Sequence, residues 1–126
     1  MNTNYPVGDF LIRIKNAAMA KKRYVEFDST KLVEEVAKTL AKEGYLDEVT
    51  KEDGRLIVRL TFKWKEPLLM NLRLISKPGM RVYMNLDNLR GNKGPSNLIV
   101  STSKGVMMDK EAVKKNLGGE VIAEVL

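Results

Sequence analysis

Leu98-Ile99-Val100-Ser101-Thr102-Ser103-Lys104-Gly105 is the stretch that decides how the C-terminal half of this chain folds. It contains a literal Ser-x-x-Lys at Ser101 and Lys104, the spacing that sets a lysine beside a nucleophilic serine on a helix in penicillin-recognising enzymes. Here apolar, mostly β-branched residues precede the serine and a glycine follows the lysine at once. The segment therefore reads as a buried strand running into a turn. The companion Ser-Asp-Asn and Lys-Thr-Gly motifs are absent, and 126 residues are too few for such an enzyme. Three hydroxyls, an ammonium and a glycine at a strand exit leave two readings open. One is an ordinary Ser/Thr turn closing a hairpin. The other is a contact surface whose hydroxyls both donate to and accept from base edges, ribose and phosphate, with Gly105 permitting close backbone approach.

Downstream of the turn, Asp109 reads as the cap of a short helix. Glu111 falls in its first turn and Lys114 and Lys115 in its last, which complements the helix dipole. Gly118-Gly119 ends that helix, and Val121, Ile122 and Val125 belong to a closing strand. Upstream, residues 91–96 form a loop. Leu68 to Ser76 alternates as a strand, Pro78-Gly79 is a turn, and Met80 to Met84 is the returning strand. Pro67 and its flanking charges mark the boundary between lobes, 1–64 and 65–126.

In the first lobe, Val7, Phe10, Leu11, Ile14 and Ala18 recur at helical spacing over about residues 4–19. Tyr24 to Asp28 alternates as a strand. Ser29 is the expected N-cap of a second helix with Leu32, Val33, Val36, Ala37 and Leu40 on its apolar face, and Gly44 is its left-handed stop. Strands at 45–50 and 55–62 join through Asp53-Gly54, a hairpin dipeptide. The expected fold class is α+β: an N-terminal α/β lobe (helix, strand, helix, hairpin) packed on a mainly β C-terminal lobe with one short helix.

Composition narrows the chemistry. With 0 His and 0 Cys, the chain lacks imidazole bases, thiol nucleophiles and every usual zinc ligand set. No alternating Asp/Asn/Gly run resembles a calcium loop, so neither a metal nor a cofactor is expected. No apolar run approaches the ~20 residues of a membrane span. The opening Met1-Asn2-Thr3-Asn4-Tyr5-Pro6 shows no secretory signal, which with the missing cysteines favours the cytoplasm. A net charge of +6 suggests a polyanionic partner. Residues 63–126 hold eleven Lys and Arg against six Asp and Glu, and a second basic zone runs acid-free through Arg13, Lys15, Lys21, Lys22 and Arg23.

Other candidate contacts each have a plain structural alternative. In Lys77-Pro78-Gly79-Met80-Arg81-Val82-Tyr83, Tyr83 could stack on an unpaired base and Arg81 could fork onto phosphate. Equally, Tyr83 could pack into the core with Arg81 covering it. Glu120 could orient neighbours or accept from a base amino group, or be a solvated carboxylate on an edge strand. Lys15 and Asn16 lie on the polar side of the first helix, which is a solvated face or a backbone contact. Gly91-Asn92-Lys93-Gly94 lacks the spacing of a P-loop. Trp64 is expected to pack at the junction of the lobes.

Taken together these segments resemble the bacterial-type ribosomal small-subunit protein eight family. The resemblance is carried by Ile99 to Met107, Asp109-Lys110-Glu111-Ala112, Gly118-Gly119-Glu120, Ile75 to Tyr83, and Asp9 to Ala17, in order along nearly the whole chain. It implies a non-catalytic constituent of the small subunit that binds the central domain of 16S rRNA directly and early in assembly, beside neighbours such as protein five. It further implies RNA contacts at Ser101, Thr102, Ser103, Lys104 and Gly105, with Tyr83 and Glu120 at the same surface and Lys15 and Asn16 touching backbone from the first helix. Lys77, Arg81, Lys21 and Lys22 are candidate RNA contacts by their charge beside these positions. The chain departs from the family pattern at Tyr5-Pro6 (usually Asp-Pro), at Gly94-Pro95-Ser96-Asn97 (usually glycine-rich) and at Val113 (commonly basic). The alternative function is an RNA-binding translational regulator outside the ribosome.

Overall fold

The computed structural model describes residues 5–126, so Asn4, the expected first residue of the leading helix, lies outside the described residues. Helix α1 (Pro6–Met19) opens with proline, whose missing N–H would be unpaired there in any case. It buries Val7, Phe10, Leu11 and Ile14. It ends in a Schellman motif: Lys21 takes φ +57 and the Lys22 N–H reaches the Ala17 carbonyl at 2.8 Å. Strand β1 (Tyr24–Asp28) follows. The cap of α2 (Lys31–Lys42) is Thr30, one residue after the expected Ser29. The Thr30 hydroxyl accepts from the Val33 N–H at 3.2 Å, while the Ser29 hydroxyl donates to Glu34 at 2.8 Å. Gly44, at φ +91, closes α2 as expected.

Strands β2 (Leu46–Glu52) and β3 (Arg55–Leu60) turn through Asp53 at φ +49 and Gly54 at φ +78. Two successive positive φ values are the signature of the type I′ hairpin turn. The sheet order is β1-β3-β2, antiparallel throughout. A second, tighter hairpin follows in β4 (Phe62–Lys63) and β5 (Glu66–Pro67). Pro67 pairs with Phe62 despite lacking an N–H, and the Leu68 N–H reaches the Thr61 carbonyl at 2.8 Å. The chain thus folds back on the first unit beyond Pro67, and the two compact units part at Asn71/Leu72. Trp64, expected to pack, is 89% exposed in the turn of this hairpin. Its φ is +62, a left-handed conformation that costs a residue with a side chain about 1–2 kcal/mol.

The second unit comprises β6 (Leu72–Leu74), β7 (Tyr83–Met84), α3 (Leu86–Arg90), β8 (Asn97–Thr102), β9 (Gly105–Met108), α4 (Asp109–Lys114) and β10 (Gly119–Val125). β10 is central, pairing with β6 and β7 on one side and β8 on the other, with β9 beyond β8. The expected strands at 68–76 and 80–84 shrink to three and two residues. Helix α3 is additional; the Asn85 side chain caps it by accepting from the Asn88 N–H at 2.9 Å. Leu98, Val100, Met107 and Val121 form one apolar cluster with Leu89 of α3 and Ala112 of α4. Asp109 does not cap α4. It is the first residue of the helix, 1% exposed, and its carboxylate accepts from the Leu98 N–H at 3.2 Å and the Asn92 amide at 2.7 Å. A left-handed Asn116, at φ +57, stops the helix ahead of the glycine pair. Among the described residues no helix is long and apolar enough to cross a membrane.

Candidate nucleic-acid interface

The β8–β9 hairpin closes with Thr102 paired to Gly105, leaving Ser103-Lys104 as its two turn residues. Neither has positive φ, whereas Gly105 takes φ +112. The glycine just beyond the turn therefore supplies the backbone twist that primed turns place at their centre. The Thr102 hydroxyl donates to the Gly105 carbonyl at 2.7 Å and accepts from the Lys104 N–H at 3.1 Å. Thr102 thus braces the turn from inside. Ser103 and Lys104 are exposed, and Ser101 is half-buried at the root.

Register builds the surface around this turn. Ser101 pairs with Glu120 on β10 and with Val106 on β9, and Glu120 pairs on its other side with Tyr83 on β7. Directly paired residues of antiparallel strands share a face. Tyr83, Glu120, Ser101 and Val106 therefore form a row across four strands, on the face opposite Val100, Met107 and Val121. Tyr83 is 69% exposed, so its ring is displayed and not packed in the core. Glu120 lies on the central strand, not at an edge. Its carboxylate is within 3.4 Å of the Arg81 guanidinium, with Glu120 23% and Arg81 39% exposed.

Two features hold the row in place. Gly119 brings β10 against β8 so closely that a Cβ there would lie 2.2 Å from the Ser101 carbonyl oxygen. Ser76, fully buried, donates from Oγ to the Val121 carbonyl at 2.7 Å and accepts from the Val82 N–H at 3.0 Å. Those two hydrogen bonds tie the Lys77–Met80 turn to β10 and set Arg81 and Tyr83 beside Glu120. Sequence reasoning missed this role for Ser76; the available signal was a lone hydroxyl within an apolar alternation. Lys77 is exposed and bridges to Met80 around Pro78-Gly79, with Gly79 at φ +78.

Charge follows the same geography. Residues 72–126 hold nine Lys and Arg against five Asp and Glu. Arg73, Arg81, Arg90 and Lys115 each pair with a carboxylate. Among the described residues Lys77, Lys93, Lys104, Lys110 and Lys114 have no such partner. In the first unit, Lys15 is half-buried on α1, while Asn16 and Lys22 are exposed. Lys21 pairs with Glu66 at 2.9 Å. No cluster of three or more His, Cys, Asp or Glu that could hold a metal occurs among the described residues.

Fold and site together define a class: a small, basic α+β protein whose exposed hydroxyl, aromatic and cationic side chains gather at one end of a sheet. The sequence family described as ribosomal protein S8 matches residues 5–126. The chain belongs to that family. It is 45% identical over 126 residues to the small ribosomal subunit protein uS8 of Caldanaerobacter subterraneus subsp. tengcongensis, covering 95% of this chain and 96% of the relative. The uS8 proteins of Mycoplasmopsis synoviae (over 94% of each chain) and Trichormus variabilis (over 99% of each) are both 40% identical to it.

Proposed function

We propose that this chain is a non-catalytic structural constituent of the small ribosomal subunit, acting in the cytoplasm, which binds the central domain of 16S rRNA directly and supports subunit assembly. The observation that carries this reading is the Tyr83–Glu120–Ser101 row beside the braced Ser103-Lys104 turn. Ser101 and Ser103 offer hydroxyls to sugar and base edges, and Tyr83 offers an exposed ring for an unpaired base. Lys104 and Lys77 meet phosphates. Glu120 orients Arg81, and Thr102 and Gly105 fix the shape of the turn. Lys15, Asn16, Lys21 and Lys22 form a second, phosphate-facing zone in the first unit, where RNA must compete with Glu66 for Lys21. Membership of the ribosomal protein S8 family and the names of the relatives support assignment to the small subunit; neighbours such as protein five belong to the proposal.

The test is a gel-shift titration with a central-domain rRNA fragment. Ser101→Ala with Ser103→Ala removes two hydrogen-bonding hydroxyls, each worth about 0.5–1.5 kcal/mol. Affinity should fall about tenfold or more, with the unfolding midpoint unchanged. Wild-type affinity in that variant means the turn is not the recognition element. Co-sedimentation with small subunits checks the assembly role, since a free module stays in the supernatant.

A further inference from the structure

The three most exposed large apolar side chains among the described residues converge in the first unit. Trp64 is 89% exposed, Met70 78% and Met19 73%, and all three line one groove of about 980 Å³. Its remaining apolar wall comes from Ala18, Pro67, Leu68 and Leu69. A contiguous apolar patch of this kind is uncommon on a monomer and marks a surface that becomes covered. The rim is cationic. Lys15, Lys21 and Lys63 line it against a single carboxylate, Glu66, which Lys21 already neutralises at 2.9 Å.

The backbone gives an independent reason. Trp64 is the first of two turn residues between Lys63 and Glu66, and it alone of the two has positive φ, +62. In a two-residue hairpin turn with that pattern, glycine is the residue the backbone favours. The indole gains little inside the chain to offset the conformation, since it is nearly all exposed. A bulky aromatic in a glycine position at the mouth of an apolar groove is placed to be covered from outside.

We infer that this groove docks an amphipathic segment of a neighbouring protein, with two or three apolar anchors flanked by Asp or Glu. The anchors fill the space between the indole and the two thioethers, whose flexible chains mould to the inserted groups. The flanking carboxylates meet Lys63 and Lys15. A stacked nucleobase would cover one face of Trp64 and leave Met19 and Met70 wet, so RNA fits this lining less well. The inference deepens the proposed subunit role by naming the kind of protein neighbour, and it rests on that role only for where the neighbour is found. Lys15 would then be shared between phosphate and this acidic partner.

The test replaces Met70 with a benzophenone amino acid in the full chain, irradiates cells, and sequences the adduct in both the subunit fraction and the free pool. The expected adduct is a protein segment whose apolar residues are flanked by Asp or Glu. Its yield should fall at least tenfold with Trp64→Gly, which suits the turn, and with Lys63→Glu. Binding of the free chain to the central-domain rRNA fragment should be unchanged with Trp64→Gly. An adduct to rRNA, an adduct to a basic or uncharged segment, no adduct in either pool, or full yield from Trp64→Gly would each overturn the inference. A chain absent from the subunit fraction fails the subunit reading alone, because the free-pool adduct still decides on the groove.

Discussion

Gly119→Ala should damage this protein more than its chemistry suggests. The added Cβ would sit 2.2 Å from the Ser101 carbonyl oxygen, 3.0 Å from the Ser101 carbonyl carbon and 3.2 Å from Thr102 Cα. All three are backbone atoms, so no rotamer change relieves the clash. Reaching the ~3.5 Å of ordinary van der Waals contact requires β10 and β8 to part by more than about 1 Å, next to the Glu120–Ser101 pair. Overpacking of this kind costs about 1–3 kcal/mol, and each ladder hydrogen bond weakened adds about 0.5–1.5 kcal/mol. A destabilisation of about 2–4 kcal/mol is expected, lowering Tm by roughly 10 °C for a chain of this size. Trp64 is the chain's one tryptophan and lies in the first unit. The second unit is therefore best followed by amide exchange at Val100 and Val121. Gly94→Ala is the control, because a Cβ there meets nothing within 4 Å. Equal exchange protection in the two variants would refute the close-approach reasoning.

Asp109→Ala leaves the buried Leu98 N–H without its acceptor, at about 1–3 kcal/mol, and takes from the half-buried Asn92 amide one of its two acceptors, at about 0.5–1.5 kcal/mol, the Ser96 carbonyl at 3.2 Å remaining. Urea unfolding should show a loss of about 2–4 kcal/mol, and a loss under 0.5 kcal/mol would count against the role given to Asp109. The Ser96 hydroxyl, and then Arg73, hold the Glu124 carboxyl below its ordinary value of 4.5. A carboxyl with a depressed folded pKa contributes stability above its unfolded value, and that contribution is lost as pH falls through the folded value. Glu124→Gln should flatten the acid limb of Tm against pH below 4.5; superimposable limbs would remove Glu124 from the account. Trp64→Gly should raise stability by about 1 kcal/mol, since glycine carries no penalty at positive φ, and a lower unfolding midpoint would mean the indole packs in solution. Lys104→Ala and Lys77→Ala should each reduce the slope of log affinity against log salt by about 1. Ser101→Ala with Ser103→Ala should leave that slope alone.

The elements legible in the sequence were those long enough to show a period or marked by a dedicated residue. Helices α1 and α2 show their buried faces in the apolar spacing, and Asp53-Gly54 announces its hairpin. What escaped was short or ran against residue preference. The β4–β5 hairpin turns on Trp64-Lys65 with no glycine, and Pro67 reads as a break although its carbonyl can still pair. Helix α3 is five residues long, too few for periodicity. The caps fail differently: Ser29 and Thr30 are adjacent hydroxyls, and only the geometry of the turn selects which one faces the Val33 N–H. Asp109 looks like a cap because it opens a helix, but its carboxylate is used across the sheet.

Tyr83, Ser101 and Glu120 are dispersed along the chain, and only the pairing of β10 with both β7 and β8 makes them neighbours. Spacing alone could not supply that row. It also explains a carboxylate on an otherwise basic surface. Left unpaired, Glu120 would repel phosphate. Beside Arg81 it cancels one positive charge and limits where the guanidinium can point, so the middle of the row is nearly neutral. The unpaired ammonium groups of Lys104 and Lys77 stand on turns around it. In the proposed complex, shape and hydroxyl contacts would lie at the centre, where little counterion is released, and salt-sensitive phosphate attraction at the tips. If the proposed RNA contact holds, discrimination between RNAs and overall affinity should fall to different residues, because one sheet face places the hydroxyls within the row and the turns carry the lysines beyond it.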